Sequence, residues 1–184
     1  MGWTWLGDHF ALDVVNTVQL QRGTYAELIN SAADLQEWAE LQGGRVPEAI
    51  PAEADVDTFR VTRDHILSLL RAVASNMDVP DESVEHIDDI ARRLPVTRRI
   101  DIGDGGGVGH VVGTADPIES LRARAASAVI DLLNGPDRDR LALCDAPRCG
   151  QLFLQDRPNQ QWCCRACGNR ARAARHHAKE KRGS

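Results

Sequence analysis

The sequence predicts a mainly α-helical N-terminal domain carrying one small β-hairpin, α+β overall, followed by a small cysteine-rich unit of hairpin and basic helix. Three observations lead there. Apolar residues recur at helical spacing through most of the first 135 positions. That period gives way to alternation around one glycine-rich centre, GDGGGVG. All five cysteines fall after Leu143, where the charge also changes sign.

Along the chain, Phe10, Val14, Val15 and Val18 fall at helical spacing with Asp13 and Asn16 between them, and a strand of that length fits as well. Ser31 reads as an N-cap with Asp34 three residues on, opening a helix through Leu35, Trp38 and Leu41 that stops at Gly43-Gly44. After the PEAIPAEA linker, the longest helical pattern runs from about Asp55 to Met77, with Phe59, Ile66, Leu69, Leu70 and Val73 on one face. A short helix fits Glu82 to Leu94. Val96, Arg98, Ile100 and Ile102 then alternate, as do Val108 and His110 against Val111, so two short strands joined by a loose turn are expected. Asp116-Pro117 restarts a helix through Ile118, Leu121, Ala125, Val129 and Leu132, which Asn134-Gly135-Pro136 ends.

A chain of 184 residues with 42% hydrophobic and 27% charged content is that of a globular protein, one medium domain plus a small one. MGWTWLGDHF has no positive n-region, its sixth residue is Leu6 where a myristoylation signal needs Ser or Thr, and no apolar run reaches membrane-span length. A cytoplasmic location without membrane partners is therefore expected, and in a reducing compartment clustered cysteines bind metal more often than they pair. The glycine cluster lacks G-x-G-x-x-G in register and a following Lys-Ser or Lys-Thr, so it reads as a hairpin turn needing positive φ. His9, His65, His86 and His110 are scattered among unlike elements, without H-E-x-x-H or triad spacing. No catalytic centre is legible, and the chain is expected not to be an enzyme.

Charge divides the chain. Residues 1–143 carry 13 Arg against 24 Asp and Glu, a net of −11, whereas residues 144–184 carry 9 basic and 3 acidic side chains, a net of +6. Both lysines, Lys179 and Lys181, lie in the terminal tail. The division read from these shifts is a mostly helical domain over 1–138 and a finger over 139–184. The first is long enough to bury a core and to fold without metal.

Cys144-Asp-Ala-Pro-Arg-Cys149 is a C-x4-C pair, and Cys163-Cys164-Arg165-Ala166-Cys167 supplies the second group. Thiols paired at such short spacing suit the tetrahedral four-sulfur cage that zinc prefers, so one structural Zn²⁺ is expected. Arg140 to Leu143 and Gln151 to Leu154 read as the two strands of a hairpin, then a polar loop through Asp156-Arg157-Pro158-Asn159, then a helix. Five cysteines leave one spare. Cys163 and Cys167 stand at i and i+4, Cys164 and Cys167 at i and i+3, and either pair places both sulfurs on one helix face. Cys163, Cys167, Ala171, Ala174 and Ala178 form one continuous face expected to pack on the hairpin. That periodicity favours Cys144, Cys149, Cys163 and Cys167 as ligands, with Cys164 the alternative.

Cys144-x4-Cys149, the strand with Phe153, Trp162-Cys163 and Cys167-Gly168-Asn169-Arg170 together resemble the CGNR zinc finger. Leu12-Asp13-Val14-Val15-Asn16-Thr17 and Asp34-Leu35-x-x-Trp38 resemble signatures of the ABATE domain, the N-terminal partner in a family of putative stress-induced transcription regulators. Cys164 stands where that family usually has serine. The resemblance implies a zinc-binding, nucleic-acid-associated protein acting in transcription, and it implies no reaction.

Arg165, Arg172 and Lys179 recur every seven positions with Arg175, His176 and Arg182 beside them, so one side of the terminal helix is basic. Arg165, Arg170, Arg172, Arg175, Lys179 and Arg182 are the candidate nucleic-acid contacts, with DNA favoured over RNA. A second reading stays open for some of them. Four thiolates on Zn²⁺ leave a charge of about −2, which Arg148, Arg165 and Arg170 are near enough in sequence to offset. Trp162 reads as a plug between hairpin and helix. The function expected is thus a zinc-binding, nucleic-acid-binding transcription regulator, with room for a homodimer and for a small-molecule effector of unidentified chemistry. The alternative is a thiol or zinc redox sensor, or a protein-interaction module, without direct nucleic-acid contact.

Overall fold

The computed structural model describes residues 3, 9–21, 24–43, 46, 53–101, 107–112 and 116–180. In order they form α1 (Phe10–Val15), β1 (Val18–Gln21), β2 (Thr24–Glu27), α2 (Ala32–Leu41), α3 (Glu53–Ala74), α4 (Asp81–Arg93), β3 (Val96–Asp101), β4 (Gly107–Val112), α5 (Pro117–Asn134), a 3-10 turn (Pro136–Arg140), β5 (Leu141–Leu143), β6 (Leu152–Leu154) and α6 (Arg165–Glu180). The fold is mainly α, with antiparallel hairpins β1–β2, β3–β4 and β5–β6. No helix among the described residues is long and apolar enough to cross a membrane.

Local chemistry explains most boundaries. Ser31 caps α2, its Oγ accepting from the Asp34 N–H, while the Asp34 carboxylate accepts from the Ser31 hydroxyl and the Asn30 N–H. Those bonds, the Ser31 hydroxyl first, hold the Asp34 carboxyl below its ordinary value. Asp116 caps α5 in the same way, accepting from Ile118 and Glu119 N–H groups ahead of Pro117. The helical pattern expected to reach Met77 ends at Ala74 because Asn76 takes a left-handed conformation, φ 52°. The Met77 and Asn76 N–H groups then bond back to the carbonyls of Ala72 and Val73.

The N-terminal pattern resolves into two elements. The Asn16 N–H returns to the Leu12 carbonyl and the Thr17 hydroxyl donates to the Val14 carbonyl at 2.7 Å, which closes α1. Val18 is therefore not the end of a helix but the start of β1, paired with Glu27. This hairpin is additional to the one read from the alternation, β3–β4, whose register runs from Val96↔Val112 to Asp101↔Gly107. The glycine-rich turn between β3 and β4 lies outside the described residues, as does most of the PEAIPAEA linker.

The core gathers around α3. Trp38 of α2 packs between Phe10 and Phe59, with ring centroids 6.1 and 5.4 Å away. Leu12, Val14 and Val15 of α1, Ile66 and Leu70 of α3, and Val129 and Leu132 of α5 complete the centre. Leu141, Leu152 and Leu154 of the last hairpin belong to this same core, whereas Ala142 and Phe153 pack into a second cluster with the cysteines. Strand alternation produces the division: side chains two apart share a face, so β6 sends Leu152 and Leu154 one way and Phe153 the other. Burying Leu152 and Leu154, 1% and 4% exposed, contributes roughly 1.5–3 kcal/mol each to holding the hairpin on the main body.

Candidate metal centre and basic helix

Two loops bring the sulfurs together. From β5 the chain enters Cys144, turns back with the Cys149 N–H on the Ala146 carbonyl, and re-pairs through the Cys144 N–H and the Gln151 carbonyl at 2.9 Å. Arg148 and Gly150 take positive φ, 62° and 65°, to make this knuckle, and Cys149 projects inward between them. Cys163 lies in a bend just before α6 and Cys167 in its first turn. Cys163 is thus not itself helical, and its approach to Cys167 comes from the bend rather than from the i, i+4 helix geometry expected.

The sulfurs of Cys144, Cys149, Cys163 and Cys167 all lie within 4.8 Å of one another. Cys149 to Cys163 is 3.7 Å, Cys163 to Cys167 is 3.6 Å and Cys167 to Cys149 is 3.6 Å. A tetrahedron with Zn–S bonds of about 2.3 Å has edges of about 3.8 Å, so the cage has the size zinc requires. Cys164 is exposed and outside the four.

Electrostatics argue for a cation in the same place. Hydrogen bonds from Cys149 and Cys163 hold the Cys144 thiol down at about 2. Sharing with Cys144 pushes Cys149 up, Cys144 and Cys149 push Cys163 up, and burial followed by Cys149 pushes Cys167 up to about 12. Contacts among the sulfurs thus pull Cys144 down and push the other three up, and a dication at the centre would take the place of the protons the raised thiols retain. Donors already surround the sulfurs: the Cys163 N–H reaches Cys144 Sγ at 3.4 Å and Arg170 Nη2 reaches Cys167 Sγ at 3.0 Å. Gln151 is buried beside them, its Oε1 accepting from Cys149 at 3.8 Å while its Nε2 has no partner among the described residues. Turning that amide over would present the orphaned N–H to deprotonated sulfur.

Beside the buried leucines of the hairpin, a buried hydrogen bond ties the site to the main body. Leu152 forms a non-hydrogen-bonded pair with Leu143, so its carbonyl faces away from β5. Asn16, at the end of α1, donates to that carbonyl from Nδ2 at 2.9 Å. Thr17 beside it accepts from Arg63, which is 2% exposed and is neutralised by Glu27 and Asp64, 2.7 and 2.8 Å away.

The family model of the ABATE domain, described as a putative stress-induced transcription regulator, matches residues 8–136, and that of the CGNR zinc finger matches residues 140–180. The chain belongs to the ABATE family. A search of curated proteins found no match. The ABATE signature at Leu12–Thr17 thus contributes a buried hydrogen bond from Asn16 to the finger, and the finger's four cysteines are positioned to coordinate one zinc ion.

Each residue of the CGNR tetrapeptide has a physical task. Cys167 is one of the four clustered sulfurs. A Cβ on Gly168 would meet Trp162 Cε3 at 3.1 Å, so the glycine makes room for the indole. Asn169 Oδ1 accepts from Arg172 at 2.6 Å, and Arg170 donates to Cys167. The Arg172 and Arg175 guanidinium carbons stand 5.8 and 5.5 Å from the Trp162 ring, so the indole braces both. Arg170, a candidate nucleic-acid contact in the sequence, is exposed and also reaches the sulfur cage through Nη2.

Helix α6 leaves the body early. Cys167 and Ala171 are buried, but every residue from Arg172 to Ala178 is exposed. Ala174 and Ala178, expected to pack on the hairpin, therefore stand in solvent. Arg165, Arg172 and Arg175 are exposed on the projecting helix, Lys179 lies in its last turn, and Arg182 is outside the described residues.

The structure also joins two histidines the sequence left scattered. His65 of α3 and His86 of α4 stack with ring centroids 4.2 Å apart and planes at 21°. Ser83 lies 3.3 Å from His65 and Thr62 lies 3.4 Å from His86. Burial, then the charges of His65 and Arg122, holds His86 below its ordinary value. Both are half-buried on their helices, and no local spacing in the sequence links them.

Proposed function

We propose that the protein is a zinc-stabilised, DNA-binding transcription regulator of the stress-responsive kind its family description names, in which the ABATE domain receives the signal and α6 contacts nucleic acid. The observation that carries this reading is the projecting basic helix: Arg165, Arg172 and Arg175 are exposed, and two of them are braced on Trp162 beside the metal cage. Pre-ordered guanidinium groups lose less freedom on meeting phosphate, and a helix free of its own body can enter a groove or follow a strand. The zinc acts structurally. A four-sulfur site is closed and offers no open coordination position, so binding rather than catalysis is the proposed activity.

The test is fluorescence anisotropy of the zinc-loaded chain with random duplex DNA and with single-stranded RNA, at low and moderate salt. Tighter, strongly salt-dependent binding to the duplex is expected. Arg172→Ala and Arg175→Ala should each lower the salt slope by about one phosphate contact. Absence of binding to either polymer, or slopes unchanged in both variants, would remove α6 from the interface. Preference for RNA would keep the interface and change the partner.

A further inference from the structure

Between the ABATE domain and the zinc knuckle runs a groove of about 730 Å³, with α3 and β2 on one side and the Cys144–Gly150 turn on the other. Arg71, in the last turn of α3, lies in it. Its guanidinium stands 4.7 Å over the ring of Tyr25, and its Nε is buried without a hydrogen-bond partner. Asp64 and Asp78 line the same groove, yet Arg71 forms no ion pair among the described residues, and Asp64 is spent on Arg63. A half-buried guanidinium without a counter-ion is costly, and a ligand carboxylate would relieve that cost with charge-assisted hydrogen bonds.

The rest of the lining specifies the ligand's body. Tyr25 and Met77 are large side chains left 54% and 69% exposed, and Leu67 and Leu143 add apolar wall. Ser68 and Ser75 supply hydroxyls one helical turn on either side of Arg71. Asp64, Asp78 and Asp145 at the same groove oppose an anion bearing more than the one charge Arg71 can take. We infer that this groove is a binding site for a small monocarboxylic acid with a flat apolar body, its carboxylate on Arg71 and its body against Tyr25. Because Cys144 forms part of the opposite wall, a ligand lodged here touches both the ABATE domain and the metal knuckle.

Tyr25 is the only tyrosine in the chain, which gives the test a single reporter. Zinc-loaded full-length protein labelled with fluorotyrosine shows one fluorine resonance, to be followed during titration with phenylacetate and, separately, benzylamine. A saturable shift with phenylacetate and none with benzylamine is expected. Arg71→Gln should weaken phenylacetate binding about tenfold or more, the loss of a charge-assisted contact, while Arg71→Lys keeps part of it. Should Arg71→Gln fail to fold, Ser68→Leu, which fills the groove, should abolish the shift in a folded protein. No shift with phenylacetate, an equal shift in the variants, or tighter binding of benzylamine overturns the proposal.

Discussion

Replacing Asn16 by alanine should loosen the zinc finger from a residue that touches no sulfur. Asn16 is 6% exposed and Leu152 is 1% exposed, and the bond between them measures 2.9 Å. Since the Leu152 carbonyl faces away from β5, no strand partner takes over when the amide is removed. The variant therefore leaves a buried acceptor unsatisfied, a loss of about 1–3 kcal/mol. For a chain of this size that corresponds to a fall in Tm of roughly 2–12 °C. Asn16→Asp should be worse than alanine, because it sets a carboxylate against the carbonyl. Thermal unfolding of the zinc-loaded protein gives the first readout, and the rate of zinc transfer to a coloured chelator gives the second. Both should change in the same variant, with faster zinc loss at a temperature where the protein is still folded. Unchanged zinc release with a lowered Tm would mean that α1 and the finger are independent, and an unchanged Tm would mean that the bond contributes nothing.

Zinc binding at neutral pH should release about three protons, because contacts among the sulfurs and burial push Cys149, Cys163 and Cys167 above their ordinary value while contacts with Cys149 and Cys163 pull Cys144 below it. Affinity should accordingly fall by about three decades per unit of falling pH near neutrality, and an indicator-dye count of one proton or none would contradict the thiol cluster described. His86 titrates below its ordinary value, so the unfolded chain binds its proton first and stability should decline as pH drops below about 6.5. His86→Gln should flatten that decline in Tm measured from neutral to mildly acid pH, and an equally steep decline would assign it elsewhere. Gly168→Ala should shift the Trp162 indole, whose Cε3 lies 3.1 Å from the new Cβ. The helix-propensity gain of about 1 kcal/mol offsets much of the strain, so metal content should hold while the indole NMR signal moves; an unmoved signal would refute the contact.

What could be read in the sequence was whatever is decided within a few residues. Ser31 and Asp116 cap their helices through groups two or three positions away, and the short apolar run Leu152-Phe153-Leu154 reads as a strand wherever it lies. The cysteine spacing announced zinc for the same reason. What escaped needed a partner far along the chain. Val18 continues a helical spacing, and only the Thr17 bond to Val14 and the pairing with Glu27 put it in a hairpin. Asn16 looks like any helix end until β6 arrives 136 residues later. Ala174 and Ala178 continue the period of Cys167 and Ala171, but periodicity describes a face and says nothing about whether the body extends far enough to cover it. Gln151 carries no motif at all, and its role follows only from being buried among sulfurs.

The alternation along β6 makes this short strand unusually intolerant of a change in length. Its neighbours on one side are the leucines and valines of the helical core, and on the other the four sulfurs. A single inserted or deleted residue would exchange the two faces, turning Phe153 toward the helices and a leucine toward the cage. Substitutions at Leu152 or Leu154 that keep volume and apolarity cost at most about 1.5 kcal/mol, while an indel between Gln151 and Gln155 would damage both halves at once. In descendants of this chain, change in the segment should accumulate by replacement and not by gain or loss of residues.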